Sequence, residues 1–382
     1  MNPQAQDDWE IVLRFLPAGW EEKALELGAL SRRRKIDSAK TLLRVLMIHL
    51  ASGMSLRTTS AYAHEANLCS INDAALLHRL KVSEHWLHWM CVEILKGMNS
   101  HPGVEEPRSR FQVRVVDGAP ISEPGSTGSD WRLHYCLRLD NLRCDCFRIT
   151  NPNAGEDFQR FDISPGDLVI GERRYCKRRG ITHVINGGGH VLVRFHSSNF
   201  PLFHKSGKPF LPLDHLRRLK VVDCGDWDVY FRAPGGKELQ KGRLCAIKKT
   251  QEAAELARKR LRAKASKRQR RLLPETLEHA EYVCVFTTVN RHSMKTRDIL
   301  ELYREGWQIQ PTFKRLKNII GIGHIPKHNE ESCIAWFYGK MVVAMLVEKL
   351  YLEAKSFSPW GYPIECPHRD SAQLQQSGRQ FL

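Results

Sequence analysis

Lys241 to Arg271 carries thirteen Lys or Arg against two Glu, a net +11 over 31 residues. Such a row neutralises backbone phosphates and releases their counterions, and its density exceeds what solubility needs. Ala254, Ala257, Leu261 and Ala265 recur at three- and four-residue spacing, which predicts a helix with a narrow apolar stripe. Arg258, Lys259, Arg260 and Arg262 are then expected on nucleic acid, with little sequence preference. A solvated helix face is the competing reading. The whole chain agrees with a polyanionic partner: 59 Lys and Arg against 42 Asp and Glu give a formal charge of +17 and a pI near 9.5. Gly187-Gly188-Gly189 would suit a phosphate cradle, but no Gly-x4-Gly-Lys pattern follows, so a turn is expected. The eleven Cys are scattered, with Cys144-Asp145-Cys146 the closest pair and no Cys-x2-Cys, which argues against a zinc module and for reduced packing thiols.

A second chemistry is carried by Tyr303-Arg304-Glu305-Gly306-Trp307-Gln308-Ile309-Gln310-Pro311-Thr312-Phe313-Lys314-Arg315-Leu316-Lys317. This stretch resembles the Tyr-x2-Arg-x3-Glu-x6-Lys signature of bacterial insertion-sequence transposases, the DDE class with an RNase H-like core. Tyr303 and Lys317 stand at its ends, and Trp307, Ile309, Phe313 and Lys314 match its surroundings, while the signature's Arg and Glu fall on Gly306 and Gln310. Val115-Val116-Asp117-Gly118, with Pro124-Gly125 and Trp131 to Tyr135, resembles the first-acid strand and its successor. Gly155-Glu156, Arg160-Phe161 and Gly166 to Tyr175 resemble the second-acid segment, with Glu172 where Asp is usual and Arg174 where a small residue is usual. The resemblance runs from about residue 10 to about residue 360.

It implies an α/β fold: an RNase H-like mixed sheet core interrupted by a β-rich insertion, with an N-terminal helical domain. It implies metal-dependent cleavage and strand transfer of double-stranded DNA at inverted-repeat ends and target, by a homodimer across paired ends. Two Mg2+ (or Mn2+) ions would be held at Asp117, Glu172 and Gln310, the three catalytic places. Tyr303, Arg173, Lys314 and Lys317 would hold flanking phosphates. Trp227 is expected in the core, the competing role being to stack on a flipped base.

These residues need elements to position them. Residues 1–100 read as a helical domain, with Thr41 to Leu50 giving one apolar face, Gly53 stopping that helix, Ser55 capping Leu56 to Ala66 and Ser70 to Asp73 opening another. A helix-turn-helix there would place Arg57, His78, Arg79 and Lys81 on DNA. The core's first part, 111–186, has strands at Phe111 to Val116, Leu133 to Leu139, Cys144 to Thr150, Leu168 to Gly171 and Thr182 to Ile185, with Arg174 to Arg179 helical. Asp117 and Glu172 then lie at carboxyl ends of strands, where open α/β sheets build sites. The insertion, 187–290, has strands at Val191 to Phe195, Leu219 to Cys224, Trp227 to Phe231, Leu244 to Ile247 and Tyr282 to Val289. The core resumes over 291–360 with a helix at Ser293 to Tyr303 and a long one, Glu330 to Glu353, expected on the sheet; 361–382 reads as a disordered tail. No apolar run approaches 18 residues and Met1 to Asp8 lacks signal-peptide character, so a cytoplasmic, nucleoid-associated protein is expected.

The departures from the signature matter chemically. Two ions about 3.5 to 4 Å apart need hard, charged oxygen ligands. Glu172 keeps its charge but displaces it by one carbon-carbon bond, and Gln310 offers a neutral carbonyl. Pro311 in an unbroken helix would cost roughly 3 kcal/mol, or nothing in a first turn. Two functions follow: a transposase, or a DNA-binding relative with little catalysis, and the lost carboxylate favours the second for this chain. A nuclease outside transposition explains the core alone.

Overall fold

Side-chain caps and apolar periodicity set the first third of the chain. The computed structural model describes residues 9–31, 33–100, 110–123, 125–126, 130–141, 143–236, 238–306, 321–322, 325–326 and 329–356. Six helices come first: α1 (Trp9–Leu13), α2 (Trp20–Glu26), α3 (Ala39–Ser52), α4 (Leu56–Glu65), α5 (Asp73–Val82) and α6 (Glu84–Ser100). Ser38, Ser55 and Asn72 each accept a backbone N–H three residues on, which caps α3, α4 and α5. Gly53 ends α3 at φ 72°, a left-handed turn that glycine adopts without strain.

Ten strands then form one sheet in the order β3-β2-β1-β4-β5-β10-β9-β8-β6-β7. β1 (Gln112–Ile121), β2 (Trp131–Arg138) and β3 (Cys144–Thr150) make an antiparallel meander. β4 (Asp167–Gly171) lies parallel to β1, and β5 (His190–Arg194) parallel to β4, with α7 (Arg178–Asn186) as the crossover. Every residue of β4 is buried, as a central parallel strand requires. β6 (Leu202–Phe203), β7 (Pro209–Phe210), β8 (Cys224–Arg232), β9 (Leu239–Lys248) and β10 (Tyr282–Thr287) extend the same sheet, because β10 pairs with β5 on one side and β9 on the other. The remaining helices are α8 (Pro212–Leu216), α9 (Gln251–Lys267), α10 (Pro274–His279), α11 (Thr296–Glu305) and α12 (Glu330–Ser356).

Two cores flank the sheet. Val115, Ile170 and Leu192 face one that contains α3, α6, α11 and α12; Val116, Val169 and Val193 face the other, against α7. α12 packs chiefly on α6, α3 and α5 and shares the first core with the sheet, meeting β3 where the Phe147 ring lies 5.8 Å from that of Phe337. Gly339 permits the close approach to α3: a Cβ there would sit 2.4 Å from Leu50 Cδ1.

Three expectations are corrected. Thr182 to Ile185 is β-branched and reads as a strand, yet it lies in α7, where Ile181 and Val184 bury one helical face. Packing overrides strand propensity there. Leu219 to Cys224 is a turn apart from Cys224, with Val222 in the left-handed region at φ 68°. Lys241 to Lys248 belongs to β9, so the basic helix is shorter and begins at Gln251, capped by Thr250. Gly187 to Gly189 is the turn that closes α7, pressed on Ile163: a Cβ at Gly189 would come 2.8 Å from Ile163 Cγ2. The tail 361–382 lies outside the described residues.

Candidate active site

The pairing of β1 with β4 sets Val116 opposite Gly171, so Asp117 and Glu172 come next on two parallel neighbours. Side chains alternate along a strand, and Val115 and Ile170 face the core that holds α11. Asp117 and Glu172, two residues further on, face the same way. Glu172 is fixed from two sides: its Oε1 accepts from the Tyr303 hydroxyl at 2.6 Å and its Oε2 from the Arg173 N–H at 3.3 Å. Tyr303, on α11, is buried. Burial first and Glu172 next push its hydroxyl well above the usual tyrosine range, so it stays protonated and donates. Replacing Tyr303 with Phe should therefore cost about 1.5 to 3 kcal/mol, the worth of a hydrogen bond to a charged group, measured by urea unfolding. No change would mean that Glu172 is held by something else.

Asp117 Oδ1 accepts the Gly118 N–H at 2.8 Å. Gly118 itself faces the opposite side of the sheet, where a Cβ would lie 2.6 Å from Glu156 Cγ, so glycine makes room there for a buried carboxylate. Glu156 is buried and accepts from Arg132 at 2.7 Å and Arg174 at 2.9 Å.

Gln310, Lys314 and Lys317 lie outside the described residues, with Trp307, Pro311 and Phe313. Two possible substitutes for Gln310 are poorly placed. Asp167 sits at the opposite end of β4, bound to Arg114 at 2.8 Å. Glu305 is exposed and two residues past Tyr303, about 200° further round the helix.

Two arginines flank Glu172, and a lysine lies beside them. Val193 pairs with Gly171, so Arg194 follows beside Glu172 on β5. Lys249 has its pKa lowered to about 8, first by burial and then by Arg194 and Arg173. Arg173 is lowered in turn by burial and Arg194, against the opposing pull of Glu172. Three like charges held this way favour an anion between them. Arg173 was expected at phosphate; Arg194 and Lys249 were missed, because only strand register reveals them. On the other face, burial and then Arg160, Arg132, Arg148 and Lys177 lower His134 to about 4. Lys177, Arg178, Arg179 and Asp157 also line an open groove of about 340 Å³ with Pro234 and Gly235.

In α9 the apolar stripe faces inward as its spacing predicts, and Lys259, Arg260 and Arg262 are exposed. Arg258 is half-buried and paired with Glu281. In the N-terminal helices Arg79 donates to the Ala29 carbonyl and Lys81 pairs with Glu331, while Arg57 and His78 are exposed. Trp227 is half-buried, lying across Gly225 and 5.7 Å from the His215 ring.

Among the described residues no helix is long and apolar enough to cross a membrane. No family model matches the chain. Curated proteins do. The InsL protein of insertion sequence element IS186A from Escherichia coli strain K12 is 27% identical over 361 residues, 93% of this chain and 97% of that protein. The transposase for insertion sequence element IS421 of Escherichia coli is 27% identical over 362 residues with the same coverage. A transposase for insertion sequence element IS1151 of Clostridium perfringens is 23% identical over 237 residues, 57% of this chain and 46% of that protein. End-to-end similarity to two full-length proteins of this kind, on a mixed α/β sheet, leads to one statement of kinship: the chain is a relative of bacterial insertion-sequence transposases.

Proposed function

We propose that this protein binds the DNA ends of an insertion sequence through an RNase H-like core of the DDE class, and that its strand cleavage is weak. The observation that carries the proposal is the pair Asp117 and Glu172 on adjacent parallel strands, facing one way, with Arg173 and Arg194 beside Glu172 and Lys249 next to those two arginines. Two carboxylates at adjoining strand ends fit a hard divalent cation in donor chemistry, and Mg2+ or Mn2+ there would stabilise charge at the phosphorus oxygens. Asp117 and Glu172 would hold it. The third place, Gln310, carries no charge.

The chain's own groups have separable tasks. Tyr303 orients Glu172 through the 2.6 Å bond. Arg173, Arg194 and Lys249 neutralise the phosphate presented to the carboxylates, with Lys314 and Lys317 in the same role. α9 grips flanking duplex with Lys259, Arg260 and Arg262, as a homodimer on paired ends. The test is binding and cleavage of the element's inverted-repeat ends with Mn2+: binding with little cleavage is expected, and absence of binding would overturn the reading.

The affinity should fall steeply with salt. Changing Arg258, Lys259, Arg260 and Arg262 together to Gln should flatten the log-log slope by about three, near 0.9 for each freed phosphate contact, since Arg258 is already paired with Glu281. An unchanged slope would make α9 a solvated surface.

A further inference from the structure

We propose that Cys136 and Cys146 form a redox-active dithiol that closes into a cross-strand disulfide under peroxide. The two residues are direct partners on antiparallel β2 and β3. Opposed residues in such a pair have Cα atoms about 4.5 to 5.5 Å apart, inside the range of about 4.4 to 6.8 Å that a disulfide spans. Cys136, Cys146 and Asp145 bring their sulfur and oxygen atoms within 4.8 Å of one another. Asp145 and Cys146 would ordinarily face opposite sides of a strand. A bulge gathers them: Cys136 pairs with Cys146 but Leu137 pairs with Cys144, so Asp145 is the extra residue.

The surroundings favour thiol chemistry over metal binding. The Arg114 guanidinium lies 2.6 Å from one Asp145 oxygen, and Arg138 Nε donates to the other at 3.1 Å. A cation would have to displace both. Arg114 also reaches Cys146 Sγ at 3.7 Å, which stabilises a thiolate there. Cys146 is half-buried and Cys136 fully buried, so a small oxidant meets Cys146 first.

The Cys146 thiolate attacks one peroxide oxygen, the O–O bond breaks, and the departing hydroxide takes a proton to become water. Cys136 sulfur then attacks the resulting sulfenic acid at sulfur; the S–S bond forms, the S–OH bond breaks, and hydroxide leaves with the Cys136 proton as a second water. Two thiols lose two electrons and one hydrogen peroxide becomes two waters.

The test uses the full chain, reduced, exposed to hydrogen peroxide while folded, then freed of peroxide, unfolded in guanidinium, blocked with maleimide and mapped by peptide mass. Cys136 and Cys146 should lose maleimide labelling together and appear as one linked peptide pair, lighter by two hydrogens and restored by dithiothreitol. Cys136→Ala should leave a sulfenic acid on Cys146 that dimedone traps, and Cys146→Ser should abolish the linkage. Both thiols still labelled once exposed Cys224 is consumed, or either paired elsewhere, would overturn the proposal. So would stoichiometric Zn2+ binding to the reduced chain that Cys146→Ser removes.

Discussion

Changing Glu172→Asp together with Gln310→Glu should raise Mn2+-dependent cleavage of the inverted-repeat ends beyond the roughly 10 to 100-fold that outer partners of a metal site are worth. The argument is one of charge and reach. Restoring a carboxylate at 310 returns a third negative ligand, and shortening residue 172 withdraws its carboxylate by one carbon-carbon bond, out of its 2.6 Å bond with Tyr303. Functional sites tolerate only about 0.5 Å of misplacement, so the shift is large on that scale. Gly306→Arg is a separate step, because a Cβ there would lie 3.1 Å from Ile170 Cγ2 and β4 must yield by a few tenths of an ångström. The double variant should therefore come first, with Pro311→Leu next. If the unmodified chain cuts its ends as fast as the double variant, the argument from lost carboxylates fails. Asp167 could not explain such a result, being bound to Arg114 at the far end of β4.

What the sequence reveals and conceals here follows from range. Ser38, Ser55 and Asn72 are local caps, and the helices they open stand where the sequence puts them. Cys144 to Thr150 needs only its own composition and the Asp140-Asn141 turn. Thr182 to Ile185 fails because its β-branched residues meet a packing partner, the second core, that no local window contains. The basic run misleads at its start: Leu244 to Ile247 reads as a strand from its own residues, but the charges around it draw all of Lys241 to Lys248 into the helix, whereas β9 buries Leu244 and Ala246 in one core and Cys245 in the other. The site divides the same way. Asp117 and Glu172 were visible as strand-end acids, whereas Arg194 reaches Glu172 only through register, with Lys249 beside it.

The strongest structural effect should come from Asp226→Ala, with a loss of about 3 to 5 kcal/mol in urea unfolding, as expected when one member of a buried ion pair is removed. Asp226 accepts from Arg243 at 3.2 and 2.7 Å, from Arg291 at 3.0 and 3.1 Å and from Thr296 Oγ1 at 2.7 Å. The Arg243 side chain is 3% exposed and also donates to the Val289 and Met294 carbonyls, so it would stay buried without its counter-charge. Arg291→Ala, at a side chain 46% exposed, should cost no more than about 1 kcal/mol and serves as the control. Burial alone would raise the Asp226 pKa, but the bonds from Arg243, Arg291 and Thr296 win and hold it at about 2, below the usual 3.8. A depressed carboxylate stabilises the fold above the unfolded pKa and loses that contribution as pH falls through the folded one. Asp226 should thus contribute about 2 kcal/mol above pH 4 that disappears between pH 4 and 2, and Asp226→Asn should erase that part of the acid limb. Thr296 begins α11, and α11 carries Tyr303 to Glu172, so the network that fixes β8 to β9 also aims the tyrosine at the candidate site. A loss under about 1 kcal/mol for Asp226→Ala would show Arg243 to be satisfied by its two carbonyls alone and would remove Asp226 from that chain of positioning.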